Sequence, residues 1–211
     1  MSVAQPSQAS SLVLIHGAGS GPEVFDAWPE HFPTIRVAAV DLHEGLDTPR
    51  ASMHDYADQL VRATGGLPTP LALCGWSMGG LVALMAAGIL DPTAVVLLEP
   101  SPPAEAQGFH PEIEPRDGTF DPQVVYGAFP PGARARPESL RARTERKRGI
   151  SVPTLACPSL VVCGDDYPAD RGHAVADLYE AELLEFHGLD HWDLVRDPRV
   201  REEVARFLRL L

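Results

Sequence analysis

The stretch "CGWSMGG", Cys74–Gly80, closes the apolar run that starts at Leu71 and opens a second run that reaches Leu90. Glycine weakens a strand, so two glycines around a serine at a strand's end mark a hard turn rather than more sheet. Gly75, Ser77 and Gly79 satisfy G-x-S-x-G. That spacing carries chemistry only when a strand precedes it and a helix follows it. Both are expected here: "LALC" leads in, and "MGGLVALMAAGIL" is helical from Met78 on. In such a turn the two glycines lack the side chains that would strike the adjoining strand and helix. Ser77 then stands at a helix N-terminus, where free N–H groups favour developing negative charge. The reading is a nucleophilic serine; the bland alternative is a tightly packed Gly/Ser turn without chemistry.

Working outward, five more apolar, β-branched runs resemble "LALCGWS" (71–77). They are "SLVLIHG" (11–17), "IRVAAVDL" (35–42), "AVVLLEP" (94–100), "SLVVCGDD" (159–166) and "AELLEFHG" (181–188). Apolarity is continuous rather than alternating, as in parallel strands covered on both faces. Helical patterns fill the gaps. Residues 52–64 begin with Ser52 and Asp55 at capping-box spacing and repeat Met53, Tyr56, Leu60 and Thr64. Residues 78–90 are apolar nearly all round, which predicts a buried helix, and Asp91–Pro92 ends it. A helix near 170–180 carries Ala174, Val175, Leu178 and Tyr179. The last, 199–211, puts Val200, Val204, Phe207, Leu208 and Leu211 on one face. Strands alternating with helices predict an α/β fold: a six-stranded, mostly parallel sheet with helices on both faces and right-handed crossovers. The 211 residues, 45% hydrophobic, suit a single domain over 1–211.

Residues 101–150 break the rhythm. They are rich in proline, show no clear strand, and fall between the fourth and fifth expected strands. A connection that long is functional or disordered; it reads as a small Pro-rich cap. It ends in "ARARPESLRARTERKRG", with Arg134, Arg136, Arg141, Arg143, Arg146, Lys147 and Arg148, seven of the chain's 17 basic residues. This stretch is either a solvated helical face with ion pairs or a surface that attracts an anionic substrate or carrier.

A serine nucleophile needs oxyanion donors, a base and an acid. "LIHGAGSG", Leu14–Gly21, follows the first strand, and its glycines allow close backbone approach. The N–H groups of Ala18 and Met78 are the candidate oxyanion hole. A dinucleotide turn is not supported, because Gly17, Gly19 and Gly21 are spaced by two and miss G-x-G-x-x-G. Of eight histidines, His191 is best placed as base, one short loop after the last strand in "LLEFHGLDHWDLV". His187 sits at the strand end, His16 reads as a tie between loops, and His43 as a pocket-lining residue. The acid is expected to be Asp166, in "CGDDYP" after the fifth strand, with Asp165 and Glu99 as alternatives. Whichever carboxylates are not used would cap loops. Trp76, Met78, Phe109, Phe129 and Trp192 suggest an apolar acyl or aryl pocket.

The remaining totals narrow the class. A net charge of −12 argues against nucleic acid as the main partner. The first 17 residues hold no basic residue, and the apolar run Leu12–Ile15 is too short for a signal-peptide core or a membrane span. Cys74, Cys157 and Cys163 form no CxxC pair and no disulfide framework, so a reduced, cytoplasmic protein with no membrane partner is expected, its cysteines serving as small apolar residues. No HExxH and no Cys/His cluster implies a metal, and no cofactor is expected.

Taken together, "HGAG" (16–19), "GWSMGG" (75–80), "GDD" (164–166) and "DHW" (190–192) resemble the α/β-hydrolase family over nearly the whole chain, 11–211. The resemblance implies Ser77 as nucleophile, His191 as base, an acid after the fifth strand, oxyanion N–H groups at Ala18 and Met78, and a cap between strands four and five. Three departures stand out. The chain starts at the family's third strand, the cap is small, and the aspartates stand one and two residues after Gly164 where the family usually spaces G-x-x-D. The activity expected is a serine hydrolase cleaving an ester or thioester of a small hydrophobic acyl substrate through an acyl-enzyme. The alternatives are a lyase, acyltransferase or cyclase on the same fold, or a catalytically silent ligand-binding protein.

Overall fold

The computed structural model describes residues 9–210. Leu211, expected on the apolar face of the last helix, lies outside the described residues, as do residues 1–8 of the N-terminal stretch. The elements in order are β1 (Ser11–Ile15), β2 (Arg36–Val40), α1 (Met53–Thr64), β3 (Leu71–Trp76), α2 (Met78–Leu90) and β4 (Ala94–Leu98). The inserted segment follows, with α3 (Ala104–Gln107), β5 (Thr119–Phe120), α4 (Pro122–Tyr126), β6 (Glu138–Ser139) and α5 (Leu140–Arg148). The chain closes with β7 (Ser159–Cys163), α6 (Ala174–Tyr179), β8 (Glu182–Glu185), α7 (Asp193–Arg196) and α8 (Pro198–Leu210).

The main sheet has six strands in the order β2-β1-β3-β4-β7-β8, and every pairing in it is parallel. The continuous apolar runs are explained by a core on each side. Val13, Ile15, Leu73 and Leu97 point into one layer with α1 and α2; Leu12, Leu14, Cys74 and Leu98 point into the other with Trp28 and α8. Each such leucine, fully buried, contributes about 1.5–3 kcal/mol relative to exposure. Helix α2 is buried over most of Met78–Ala87, as its composition predicts, while its last turn emerges with Ile89 67% exposed and ends with Asp91 in the left-handed region at φ 46° before Pro92. The box at the start of α1 is reciprocal: Asp55 N–H donates to Ser52 Oγ at 3.1 Å, and Ser52 N–H donates to Asp55 Oδ2 at 2.8 Å.

Residues 101–150 are more structured than the sequence suggests. Two short strands, β5 and β6, pair antiparallel as a separate ribbon, and the basic stretch contains helix α5. Neither short strand has the length or the apolar run that marks a strand in sequence. Among the described residues no helix is long and apolar enough to cross a membrane. All three cysteines are free. Burial pushes the Cys74 thiol up, that of Cys163 to about 12 and that of Cys157 to about 11, so none is a ready thiolate at neutral pH.

Candidate active site

The turn at Ser77 is as tight as its glycines imply. Ser77 has φ 55° and ψ −120°, a region that non-glycine residues rarely occupy and that persists only where the surroundings over-determine it. The surroundings do so here. A Cβ on Gly75 would lie 2.3 Å from the Gly79 carbonyl oxygen, and one on Gly79 would lie 2.1 Å from the Ile15 carbonyl oxygen. Both obstacles are backbone and cannot swing aside. The Ser77 N–H is fixed by the Leu98 carbonyl at 3.0 Å, and the Ser77 carbonyl accepts from Gly80 and Ser101 N–H. Met78 is the first residue of α2, so its N–H is one of those a helix leaves without an internal acceptor.

The sheet register brings a carboxylate level with this serine. Leu98 pairs with Trp76 across β3 and β4, so the next residues, Ser77 and Glu99, leave neighbouring strands at the same height. Glu99 is also in the left-handed region, at φ 39°. Its carboxylate is 0% exposed and satisfied at both oxygens: Oε1 accepts from Gly164 N–H at 2.8 Å, and Oε2 lies 2.6 Å from His191 Nδ1. The His191 ring is 17% exposed and reaches the cavity that Ser77 lines. Its backbone is held as well. The His191 carbonyl accepts from Trp76 Nε1 at 2.9 Å, its N–H donates to Asp166 Oδ2 at 3.0 Å, and the ring packs on Trp76 with centroids 4.9 Å apart.

This arrangement corrects the expected acid. Asp166, the favoured residue, lines the cavity but faces the backbone N–H of His191, not its ring. Asp165 accepts from Gly188 N–H at 2.8 Å and lies 3.6 Å from His187. Both serve the loop-tying role foreseen for whichever carboxylates were unused, and Glu99 holds the imidazole. The physical reason is height. Leu98 pairs with Val162, so Glu99 is level with Cys163, while Asp166 stands three residues further along a loop. His187 is 89% exposed beside Asp165 and is not among the residues lining the cavity of Ser77.

The glycine loop after β1 is gripped from two sides. His16 is buried; its Nε2 accepts from Leu42 N–H at 3.1 Å, which leaves Nδ1 to donate to the Gly17 carbonyl at 2.9 Å. This is the loop tie expected of it. Ala18 lines the cavity with Ser77. Gly19, at φ 72°, donates its N–H to Glu138 Oε2 at 2.7 Å, and its carbonyl accepts from Arg136 N–H at 2.8 Å.

Glu138 had no sequence signal. It is completely buried on β6, and its carboxylate also receives Tyr56 OH, the Ser139 N–H and His43 Nε2, the last at 3.3 Å. Burial alone would raise its pKa. His43, the Tyr56 hydroxyl and the Gly19 N–H outweigh that and hold it down at about 2. His43 therefore belongs to this buried cluster, and the expectation that it lines the pocket is corrected.

The cavity is about 270 Å³ in volume. Trp76, Phe129 and Trp192 line it as expected, joined by Val125, Tyr126 and Tyr167. Met78 is in the core, and Phe109 lies elsewhere on the surface, 58% exposed beneath Arg148. The cavity takes walls from both the sheet end and the 101–150 segment.

A parallel sheet with a strained serine at one strand end, and a buried carboxylate–imidazole pair beside it, defines the α/β-hydrolase class of architecture. The chain belongs to the Alpha/beta hydrolase family, whose family model matches residues 12–206. Solved structures agree on the fold. A lipase-esterase related protein from Clostridium acetobutylicum superposes with a TM-score of 0.71 at 17% identity, over 97% of each chain. A thermophilic esterase from Thermogutta terrifontis does so with a TM-score of 0.70 at 21% identity, over 96% of this chain and 90% of that one. Curated relatives match a shorter stretch. A pimeloyl-[acyl-carrier protein] methyl ester esterase of Aromatoleum aromaticum is 38% identical over 76 residues, 35% of this chain and 29% of its own. Its namesake in Shewanella oneidensis is 42% identical over 82 residues, 38% of this chain and 30% of its own. The matches thus span under a third of the relatives' length.

Proposed function

We propose that the protein is a serine hydrolase that cleaves a small carboxylic ester or thioester, with Ser77 as nucleophile, His191 as general base and Glu99 as the acid. The observation that carries this reading is the His191 Nδ1–Glu99 contact of 2.6 Å in a cavity shared with a serine at φ 55°. Glu99 fixes the imidazole's tautomer and orientation and stabilises the imidazolium once it forms. His191 Nε2 removes the Ser77 proton as Oγ attacks the acyl carbon. The N–H groups of Ala18 and Met78 receive the oxyanion. Collapse expels the alcohol or thiol, which takes the proton from His191, and leaves an acyl-Ser77 ester. Water, deprotonated by His191, then attacks the acyl carbon; Ser77 leaves with that proton and the carboxylic acid is released.

Residues 101–150 act as a small cap over this cavity, supplying Val125, Tyr126 and Phe129 to its wall. The relatives' names speak of a substrate on an acyl-carrier protein, and the basic stretch of 134–148 is the candidate surface for such a partner. Part of that charge is neutralised within the chain, however: Arg136 pairs with Asp41 at 2.7 Å and Arg141 with Asp117 at 2.7 Å. A free small ester is therefore the reading adopted.

The test is a chain-length panel of p-nitrophenyl esters and acyl-thioesters, with the acid product measured directly. The wild type should release acid and be stoichiometrically labelled by an alkyl phosphonate. Ser77→Ala should lose labelling, and turnover should fall by about 10⁴-fold or more. Full turnover in that variant would overturn the nucleophile. Transfer of the acyl group without acid release would replace hydrolysis with another reaction of the same fold.

A further inference from the structure

Two guanidinium groups share the cavity with Ser77 and His191. Arg146 reaches it from α5 in the inserted segment, and Arg171 from the residues 168–173 that precede α6. Among the described residues, neither lies within 4 Å of a carboxylate oxygen. Arg136, Arg141, Arg199 and Arg206 all do. The partners of Arg146 are neutral: Nη1 donates to Ser101 Oγ at 3.2 Å and Nη2 to Tyr126 OH at 3.5 Å, while its buried Nε has no partner. Arg171 lies with its guanidinium carbon 4.0 Å from the centre of the Tyr167 ring, a stacking that fixes its plane without neutralising it. Burial, and repulsion from Arg146, disfavour its charged form; Tyr167 and the more distant Glu99 carboxylate offset part of that.

Two like charges brought together in a half-buried site cost stability unless something compensates them. Among the described residues the carboxylate lining the cavity is Asp166, which is exposed and occupied with the His191 N–H, and Glu99 behind it is committed to His191 Nδ1 and the Gly164 N–H. The pair is thus a cationic wall in an otherwise aromatic cavity. A guanidinium fork matches carboxylate and phosphate oxygens in planar, often bidentate geometry.

We infer that Arg146 and Arg171 recognise an anionic group, a carboxylate or a phosphate, carried by the ester substrate close to the scissile bond. This rests on the ester-hydrolase reading of the same site and adds the substrate's charge to it. The aromatic wall of Trp76, Phe129 and Trp192 would take the short carbon chain between the anion and the reacting carbonyl.

The experiment compares matched charged and neutral esters. Monomethyl glutarate is paired with its uncharged amide, methyl glutaramate, and 2-phosphoethyl butyrate with butyl butyrate. The wild type should favour one charged member by about 10-fold or more in kcat/KM, the scale of one charge-assisted contact pair. The pair that shows the preference separates carboxylate from phosphate. Arg146→Gln and Arg171→Gln should each pull the charged-to-neutral ratio toward one, with Arg146→Lys intermediate, because charge remains and the fork is lost. Neutral esters hydrolysed with no preference for either charged partner would overturn the inference and leave the hydrolase reading standing. If no ester is hydrolysed and no phosphonate labels Ser77, the hydrolase reading fails. Calorimetric titration of free glutarate and of inorganic phosphate then decides the anion site alone: binding lost in Arg146→Gln supports it, and no binding to the wild type refutes it.

Discussion

The turn that carries Ser77 and the inserted segment 101–150 meet at one cavity but are held together by different forces. At the turn the constraint is space. A Cβ on Gly75, Gly79 or Gly80 would come within 2.5 Å of another residue, and around them the strand ends are buried. In the segment the constraint is a few polar contacts. Val124 is 82% exposed, and Gly127 and Gly132 adopt positive φ with nothing within 4 Å of where a side chain would begin. Among the contacts that fix the segment are Glu138 on Gly19 and Tyr56, Arg136 on Asp41 and Glu23, and Glu145 on the Met53 N–H. Packing sets the floor of the site, where sub-ångström placement decides a reaction. Discrete contacts set its roof, whose residues can change without unfolding the sheet.

The sharpest test of the floor is the carboxylate behind His191. Glu99→Gln preserves shape but removes the charge that holds the imidazole's tautomer, and kcat should fall by about 10³–10⁴-fold. Asp166→Asn, which leaves an oxygen facing the His191 N–H, should fall by less than about 10-fold. Steady-state kinetics on a p-nitrophenyl ester read both. A larger loss at Asp166 than at Glu99 would reverse the assignment.

That pair also shows where the sequence stops being informative. The four inner strands β1, β3, β4 and β7 were legible because each is a short apolar run buried on both faces, the edge strands β2 and β8 because their apolar runs flank that core, and Ser77 because its neighbours in space, Gly75 and Gly79, are also its neighbours in sequence. Glu99 stands in "LLEP" with no local pattern around it. Its meaning comes from the parallel register that sets it level with Ser77, 22 residues earlier, and from a histidine 92 residues later. The "GDD" stretch drew attention because two aspartates after a strand look like chemistry, and they turn out to fasten the loop that presents His191. Glu138 was invisible for the same reason in stronger form, since its contacts to Gly19 and Tyr56 span 119 and 82 residues. Phe109 misled in the opposite direction, because an aromatic in a cap-like segment reads as pocket wall until its side is known.

A smaller effect separates packing from chemistry at the turn. Gly79→Ala inserts a methyl 2.1 Å from the Ile15 carbonyl oxygen and 2.5 Å from that of His16. Neither β1 nor α2 can retreat without breaking sheet pairing or core contacts. The variant should lose about 3 kcal/mol or more of stability, read as a lower urea midpoint at unchanged slope. Gly127→Ala has open space, and its penalty comes only from positive φ, about 1 kcal/mol. Equal losses at the two glycines would show that the floor is not closer packed than the roof.

An effect smaller than that of Gly79→Ala tests a main fastening of the roof. Glu138→Gln keeps the volume of a buried side chain but loses the charge that receives His43, Tyr56 and the Gly19 and Ser139 N–H groups, at a cost of about 1–3 kcal/mol. The pH dependence has a definite sign. In the folded protein Glu138 is held near 2, below its ordinary value of 4.5, so its ionised form contributes stability above about pH 4.5 and loses that contribution as pH falls toward 2. The gap in melting temperature between wild type and Glu138→Gln should thus be widest near neutrality and narrow as acid is added through that window. Melting followed by circular dichroism from pH 7 to pH 3 reads it directly. A gap that stays constant over that range would mean that the carboxylate's charge does not hold the segment to the glycine loop, and that shape alone does.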